Sequence, residues 1–197
     1  MSSRALVLLI SFVILIAAII FVNQTVNWYS SLNNQYAEAV SKEPFGDWRE
    51  FQSEASHFSV KLPAMAQNAT EEVVDKKNKT KRFYDLYIAE KENGSLFMVT
   101  RTTFADPKVL NPASKIMQEM IREIALSKQD SKIRSLDEYD YKGNEGFKFV
   151  IDRTDGIYRG IMFHHGPSLY LLSYIDPKKS DDEEDYNYFL NSFLLSN

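Results

Sequence analysis

The sequence predicts an α+β fold: an antiparallel sheet flanked by two long helices and preceded by one N-terminal transmembrane helix. Three observations predict it. Residues 5–22 form a charge-free apolar run. Between residues 58 and 175, runs rich in Tyr, Phe, Val and Ile alternate with polar residues and break at Gly, Pro and Asn. Two segments, 111–127 and the C-terminal stretch from Ser180, instead repeat apolar residues every three or four positions. Meander strands with amphipathic helices bury their apolar faces by stacking in layers.

The apolar run is Ala5 to Val22, with Ser11 as its one hydroxyl. Its 18 residues span about 27 Å as a helix, close to the ~30 Å hydrocarbon thickness of a bilayer. Arg4 precedes it and no Lys or Arg follows until Lys42. The positive-inside rule therefore expects residues 1–4 in the cytoplasm and everything after Val22 outside, in the periplasm if the cell has one. The competing reading is a cleaved signal peptide, whose apolar core is shorter and ends in a small-residue cleavage site. Phe21-Val22-Asn23-Gln24-Thr25 offers no such site. Without Cys, the anchor cannot be a lipidated cysteine.

Residues 23–45 read as a stalk or linker. Val26, Tyr29, Leu32, Tyr36 and Val40 keep a helical spacing until Pro44-Phe45-Gly46. A single globular domain is expected over 46–197. Net charge is −4 with Lys and Arg dispersed, so no basic face points to nucleic acid. The absence of Cys also excludes disulfides and thiolate metal sites. Four Asn-x-Ser/Thr triplets, at Asn23, Asn68, Asn78 and Asn93, read either as glycosylation acceptors or as chance.

Within the domain, Phe58, Val60 and Leu62 alternate with Ser59 and Lys61, a half-buried strand ended by Pro63. Residues 70–75 suggest a short second strand. Residues 80–89 and 95–104 form a hairpin around Asn93-Gly94. In 111–127, Ala113, Ile116, Met117, Met120, Ile121 and Ile124 share a helical face, with Asn111 expected as N-cap and Pro112 as the first helical residue. Extended structure resumes at 133–141, and Gly143 and Gly146 are expected to flank a turn. Phe147, Phe149 and Ile151 mark the next strand, Asp155-Gly156 a turn, and 157–165 with 169–175 a hairpin about Gly166-Pro167. Ser180 and Glu183 form a capping box for the last helix, with Tyr186, Phe189, Leu190, Phe193 and Leu194 on its apolar face. The acidic run 181–185 suits a first helical turn. It lacks the alternation and Gly of a calcium loop.

These residues carry a family resemblance. Phe51–Pro63, the Tyr84–Phe104 hairpin, Tyr141-Lys-Gly-Asn-Glu-Gly-Phe147, Arg159-Gly-Ile-Met-Phe163, Gly166–Leu172 and Tyr188–Phe193 together resemble the PsbP/Mog-like α/β/α sandwich domains of bacteria and plastids, over about residues 47–195. The resemblance implies the fold. Members of that family include an extrinsic photosystem II subunit and a Ran-binding protein, so it implies no single function. Its quoted motifs are turn glycines and core aromatics, and no ligand set carries over.

The search for chemistry yields little. No Gly-x-Ser-x-Gly, His-Glu-x-x-His, Walker A or Gly-x-Gly-x-x-Gly motif occurs. No catalytic residue, metal site or cofactor is assigned. Consecutive strand residues face opposite sides, so His164 and His165 do not chelate one ion. Asp137, Glu138 and Asp140 read as a solvated strand edge rather than an acid–base pair. His57, Arg159 and His164 remain as ligand-surface candidates. The sequence thus reads as a single-pass membrane protein whose partners are the bilayer, through residues 5–22, and another membrane or extracytoplasmic protein. In that reading the domain is a non-catalytic binding or assembly module. The alternative is a small-ligand receptor or enzyme with a pocket near His57, His164 and Arg159.

Overall fold

The computed structural model describes residues 45–74, 81–177 and 183–196. The chain divides into two units, Met1–Gly46 and Asp47–Asn197. The expected membrane helix (5–22) and most of the stalk lie outside the described residues. Among the described residues no helix is long and apolar enough to cross a membrane.

The described part of the second unit contains ten strands: β1 (Arg49–Ser53), β2 (Phe58–Leu62), β3 (Gln67–Val74), β4 (Lys81–Glu90), β5 (Leu96–Phe104), β6 (Lys132–Tyr141), β7 (Asn144–Arg153), β8 (Gly156–His165), β9 (Ser168–Asp176) and β10 (Leu194–Leu195). Two α-helices accompany them, α1 (Ala113–Leu126) and α2 (Glu184–Ser192). Seven strands form one antiparallel sheet in the order β3-β4-β5-β9-β8-β7-β6. Three more, β1-β2-β10, form a second antiparallel sheet. After β5 a 3₁₀ turn at Pro107–Leu110 and α1 carry the chain to the far edge. The meander β6 to β9 then returns it to the centre, where Val99 of β5 pairs with Leu172 of β9.

Alternation sorts the large sheet into two apolar faces. On one face Tyr87, Phe97, Val99, Ile161, Phe163, Tyr170, Leu172 and Tyr174 pack with Phe58, Val60 and Leu62 of β2, and with Tyr186, Phe189, Leu190 and Phe193. Aromatic rings dominate this core. Phe163 alone stacks with Tyr170 (centroids 5.4 Å apart) and also contacts Tyr141 and Phe193. The opposite face carries Phe149, Ile151 and Met162. There α1 lies along β6–β8 and buries Met117, Ile121, Ile124 and Ala125.

The expected pair of long helices is therefore corrected, and with it the α/β/α sandwich. The domain is mostly sheet, and its helices are short, 14 and 9 residues. The aromatic face is closed by a three-stranded sheet together with α2. The physical reason is local. Phe193 leaves the helix with an extended backbone (φ −70°, ψ 130°), and Leu194 pairs with Ser59. An apolar spacing that continues past a helix end thus feeds a strand instead. Phe51 is the one apolar residue in β1. That strand has no alternation to advertise it.

Three local expectations also change. Asn111 does not cap α1: its amide donates to the Lys108 carbonyl and closes the 3₁₀ turn, leaving Pro112 at the cap position. Gly146 lies inside β7 rather than at a turn. The β6–β7 turn is the two-residue loop Lys142-Gly143, with φ +53° and +82°. Two successive positive φ values are what a type I′ hairpin needs, and Gly supplies one of them without strain. Ser180 lies outside the described residues. Glu183 stands at the α2 cap position with no capping bond from its side chain, and its carboxylate lies beside Arg159.

Candidate functional site

The three ligand-surface candidates occupy three different settings. His57 is the last residue of the β1–β2 turn, exposed and left-handed (φ +53°). Its carbonyl accepts from the Ser196 amide. Arg159 is 2 % exposed and points from β8 into the aromatic face, where it pairs across strands with Tyr174. Its Nε lies 3.5 Å from Glu183 Oε1. His164 is half-buried near the other end of the same strand. It lies five positions along the strand from Arg159, about 16 Å, and odd spacing puts the two on opposite faces. The structure does not bring these side chains into one site. His165, next along, sets its Nδ1 2.9 Å from Asn144 Oδ1.

What the fold does assemble is a hydroxyl network beneath the β1–β2 turn, which the sequence did not reveal. Tyr87 OH lies 2.7 Å from Ser53 Oγ and 2.9 Å from Ser56 Oγ. The Ser56 hydroxyl also donates to Asp85 Oδ2, and Thr70 donates to the other Asp85 oxygen. Tyr170 OH donates to the Ser56 carbonyl, and Arg101 Nη1 donates to the Ala55 carbonyl at 2.6 Å. Arg101 Nε donates to Ser168 Oγ, which also meets Thr103. Every one of these groups is occupied by another. A polar network satisfied in this way fixes the loop rather than offering an open binding group. Tyr87→Phe removes the partner shared by two buried serines and is expected to cost about 1–3 kcal/mol. Urea unfolding checks this, with Tyr139→Phe, on an exposed edge, as the near-neutral control.

A second polar anchor sits at the β6–β7 turn. Tyr141 OH donates to the Leu190 carbonyl, and Lys142 Nζ donates to the carbonyls of Asn191 and Phe193. A cation there complements the negative end of α2 and satisfies carbonyls that have no helical partner. Burial pushes the Tyr141 phenol well above its ordinary range, so it remains a donor.

The third cluster lies on the opposite face. Glu123 of α1 is half-buried, and burial pushes its carboxyl up to about 7, against the pull of Arg82 and with a push from Glu119. Tyr84 stands among Arg82, Glu123 and Glu71, and its phenol is also raised by burial. The Arg82 guanidinium lies 5.3 Å over the Phe104 ring, and its Nε is buried without a hydrogen-bond partner. Burial is the largest cause of both shifts, and structural charge networks perturb side chains in this way as well as working sites do. Among the described residues no group of three or more His, Asp or Glu side chains is placed to hold a metal ion.

No family model and no curated protein matches this chain. Among solved structures it is similar to the solution structure of cyanobacterial PsbP (CyanoP) from Synechocystis sp. PCC 6803. The likeness covers 81 % of this chain and 98 % of that one, with a TM-score of 0.51 at 9 % identity. So low an identity speaks to the backbone alone. By that likeness the globular domain has the PsbP-like fold.

Proposed function

We propose that this chain is a single-pass membrane protein whose PsbP-like domain stands outside the cytoplasm and serves as a non-catalytic protein-binding or assembly module. The observation that carries the reading is the charge-free run 5–22, with Arg4 before it and no cation after it until Lys42. A tether of this kind confines the domain to one surface and raises its effective concentration toward other membrane components. The dispersal of His57, Arg159 and His164 over three settings, and the internal use of the hydroxyl network, favour a scaffold over a reactive centre.

Two measurements test the proposal. Protease added to the outer face of intact cells or spheroplasts is expected to remove the domain. Digestion of residues 45–197 only from the cytoplasmic side overturns the orientation. Purification of the intact chain from detergent-solubilised membranes is expected to retain a partner that a variant lacking 47–197 does not. If both preparations retain the same proteins, the binding role fails.

A further inference from the structure

We propose that the free edge of β6, residues 136–140, takes up an extended basic segment of another protein as an eighth strand of the large sheet. Such a surface deepens the binding role proposed above, on which it rests. β6 ends the strand order and pairs only with β7. Hairpin geometry decides which of its backbone groups are left over. Lys142-Gly143 is a two-residue loop, so Tyr141 and Asn144 form the hydrogen-bonded pair that closes it. Hydrogen-bonded and non-hydrogen-bonded pairs alternate along an antiparallel ladder. Tyr139 and Asp137 therefore also direct N–H and C=O toward β7, whereas Leu136, Glu138 and Asp140 direct theirs outward. At Ser135 the register shifts and Arg134 pairs with Asp152, which ends the regular edge. A row of outward backbone groups is a template for another strand.

The side chains select the newcomer. Asp137, Glu138, Tyr139 and Asp140 are all exposed. Glu138 and Asp140 share one face of β6, and Tyr139 lies on the other with Asp137. Lys148 stands opposite Asp137 on β7, so the charge offered to an added strand is chiefly that of Glu138 and Asp140. Asp140 Oδ1 accepts from the Gly143 amide, which holds that carboxylate at the strand end. The complementary segment carries Lys or Arg at two alternate positions and a β-branched residue between them, against the Tyr139 ring. Opposite charges and aromatic–β-branched pairs are favourable cross-strand contacts.

A second copy of β6 does not meet this requirement. Antiparallel pairing of two copies centred on Asp137, Glu138 or Tyr139 sets a carboxylate opposite a carboxylate each time, and like charges directly opposite destabilise a ladder. The acidic edge thus rejects its own kind and admits a cationic strand.

Titration of the intact chain in detergent micelles against a short fluorescent peptide alternating Lys and Thr, at low ionic strength, tests this. Anisotropy is expected to rise with the Lys peptide and not with its Glu counterpart. N-methylation of the peptide backbone keeps the charge, removes the strand hydrogen bonds and is expected to abolish binding. Glu138→Lys is expected to weaken binding roughly tenfold, and Glu92→Lys, in the exposed β4–β5 turn, to leave it unchanged. Hydrogen exchange supplies a readout that needs no variant. The amides of Leu136, Glu138 and Asp140 are expected to exchange fast in the free chain and to slow on saturation with the Lys peptide. No binding of the Lys peptide, equal binding of its N-methylated form, or binding that leaves those amides fast overturns the docking edge. Protection of the same amides that grows with chain concentration in the absence of peptide assigns the edge to a second copy and overturns it too. A failed edge leaves the wider binding role standing if the membrane purification still retains a partner through 47–197.

Discussion

Phe163→Ala is expected to lower the unfolding free energy by about 3–5 kcal/mol, the range for emptying a fully buried aromatic site. The ring is 0 % exposed. It stacks nearly parallel on Tyr170 at 11° and leans on Tyr141 at 4.9 Å and on Phe193 at 6.0 Å. Its removal opens a cavity that three rigid rings cannot fill without leaving their own partners. Tyr170 is tied to the Ser56 carbonyl and Tyr141 to the Leu190 carbonyl. The loss therefore reaches both the β1–β2 turn and the end of α2. Urea unfolding followed by far-ultraviolet circular dichroism measures it, with Met65→Ala (Met65 is 89 % exposed) as the silent comparison. A midpoint that matches Met65→Ala would show that the aromatic layer contributes little.

Gly146→Ala is expected to destabilise by about 3 kcal/mol, the upper part of the usual range for overpacking. A Cβ there would lie 2.3 Å from the Met162 carbonyl oxygen, 2.8 Å from the Phe163 Cβ and 2.9 Å from the Phe163 Cα. These are backbone and first side-chain atoms of the paired strand, held by the β7–β8 ladder. No rotamer change relieves them. Gly146→Ala combined with Phe163→Ala should consequently show no rescue, because alanine at 163 keeps the same Cβ and backbone. Gly160 is a useful contrast. There the added Cβ meets the tip of the Phe149 ring, Cζ at 2.5 Å, so Phe149→Leu should recover part of the loss caused by Gly160→Ala. Rescue in the Gly160–Phe149 cycle and none in the Gly146–Phe163 cycle distinguishes a side-chain clash from a backbone clash.

Much of the large sheet was legible because its signals are short-range. The β4–β5 hairpin follows from two apolar runs about Asn93-Gly94, and Gly94 takes φ +87° there. Phe147, Phe149 and Ile151 alternate because β7 is pleated and buried on one side. The face of α1 that carries Met117, Ile121 and Ile124 is the buried one. Of the second sheet only the central strand was legible, from the alternation of Phe58, Val60 and Leu62. A five-residue strand with one apolar side chain and a two-residue strand at the C-terminus carry no period of their own.

The polar clusters were hidden for a related reason. Ser53 and Tyr87 are 34 positions apart and meet through their hydroxyls. Glu123 has the spacing of an ordinary helix-surface glutamate, yet it is half-buried and feels the Arg82 charge. Arg159, a ligand-surface candidate by sequence, is buried next to Glu183. None of these pairings has a local spacing that distinguishes it from a solvated residue.

By itself the sequence determined most strands of the large sheet, the buried face of α1 and most of the hairpin turns, since alternation, helical spacing and Gly or Asn at turns act within a few residues. The tertiary structure alone decided that β9 inserts beside β5, that a small sheet rather than a long helix covers the aromatic face, and which polar groups share a proton or a charge. Those outcomes depend on contacts between residues far apart in the chain, whose energies exist only once the faces have met.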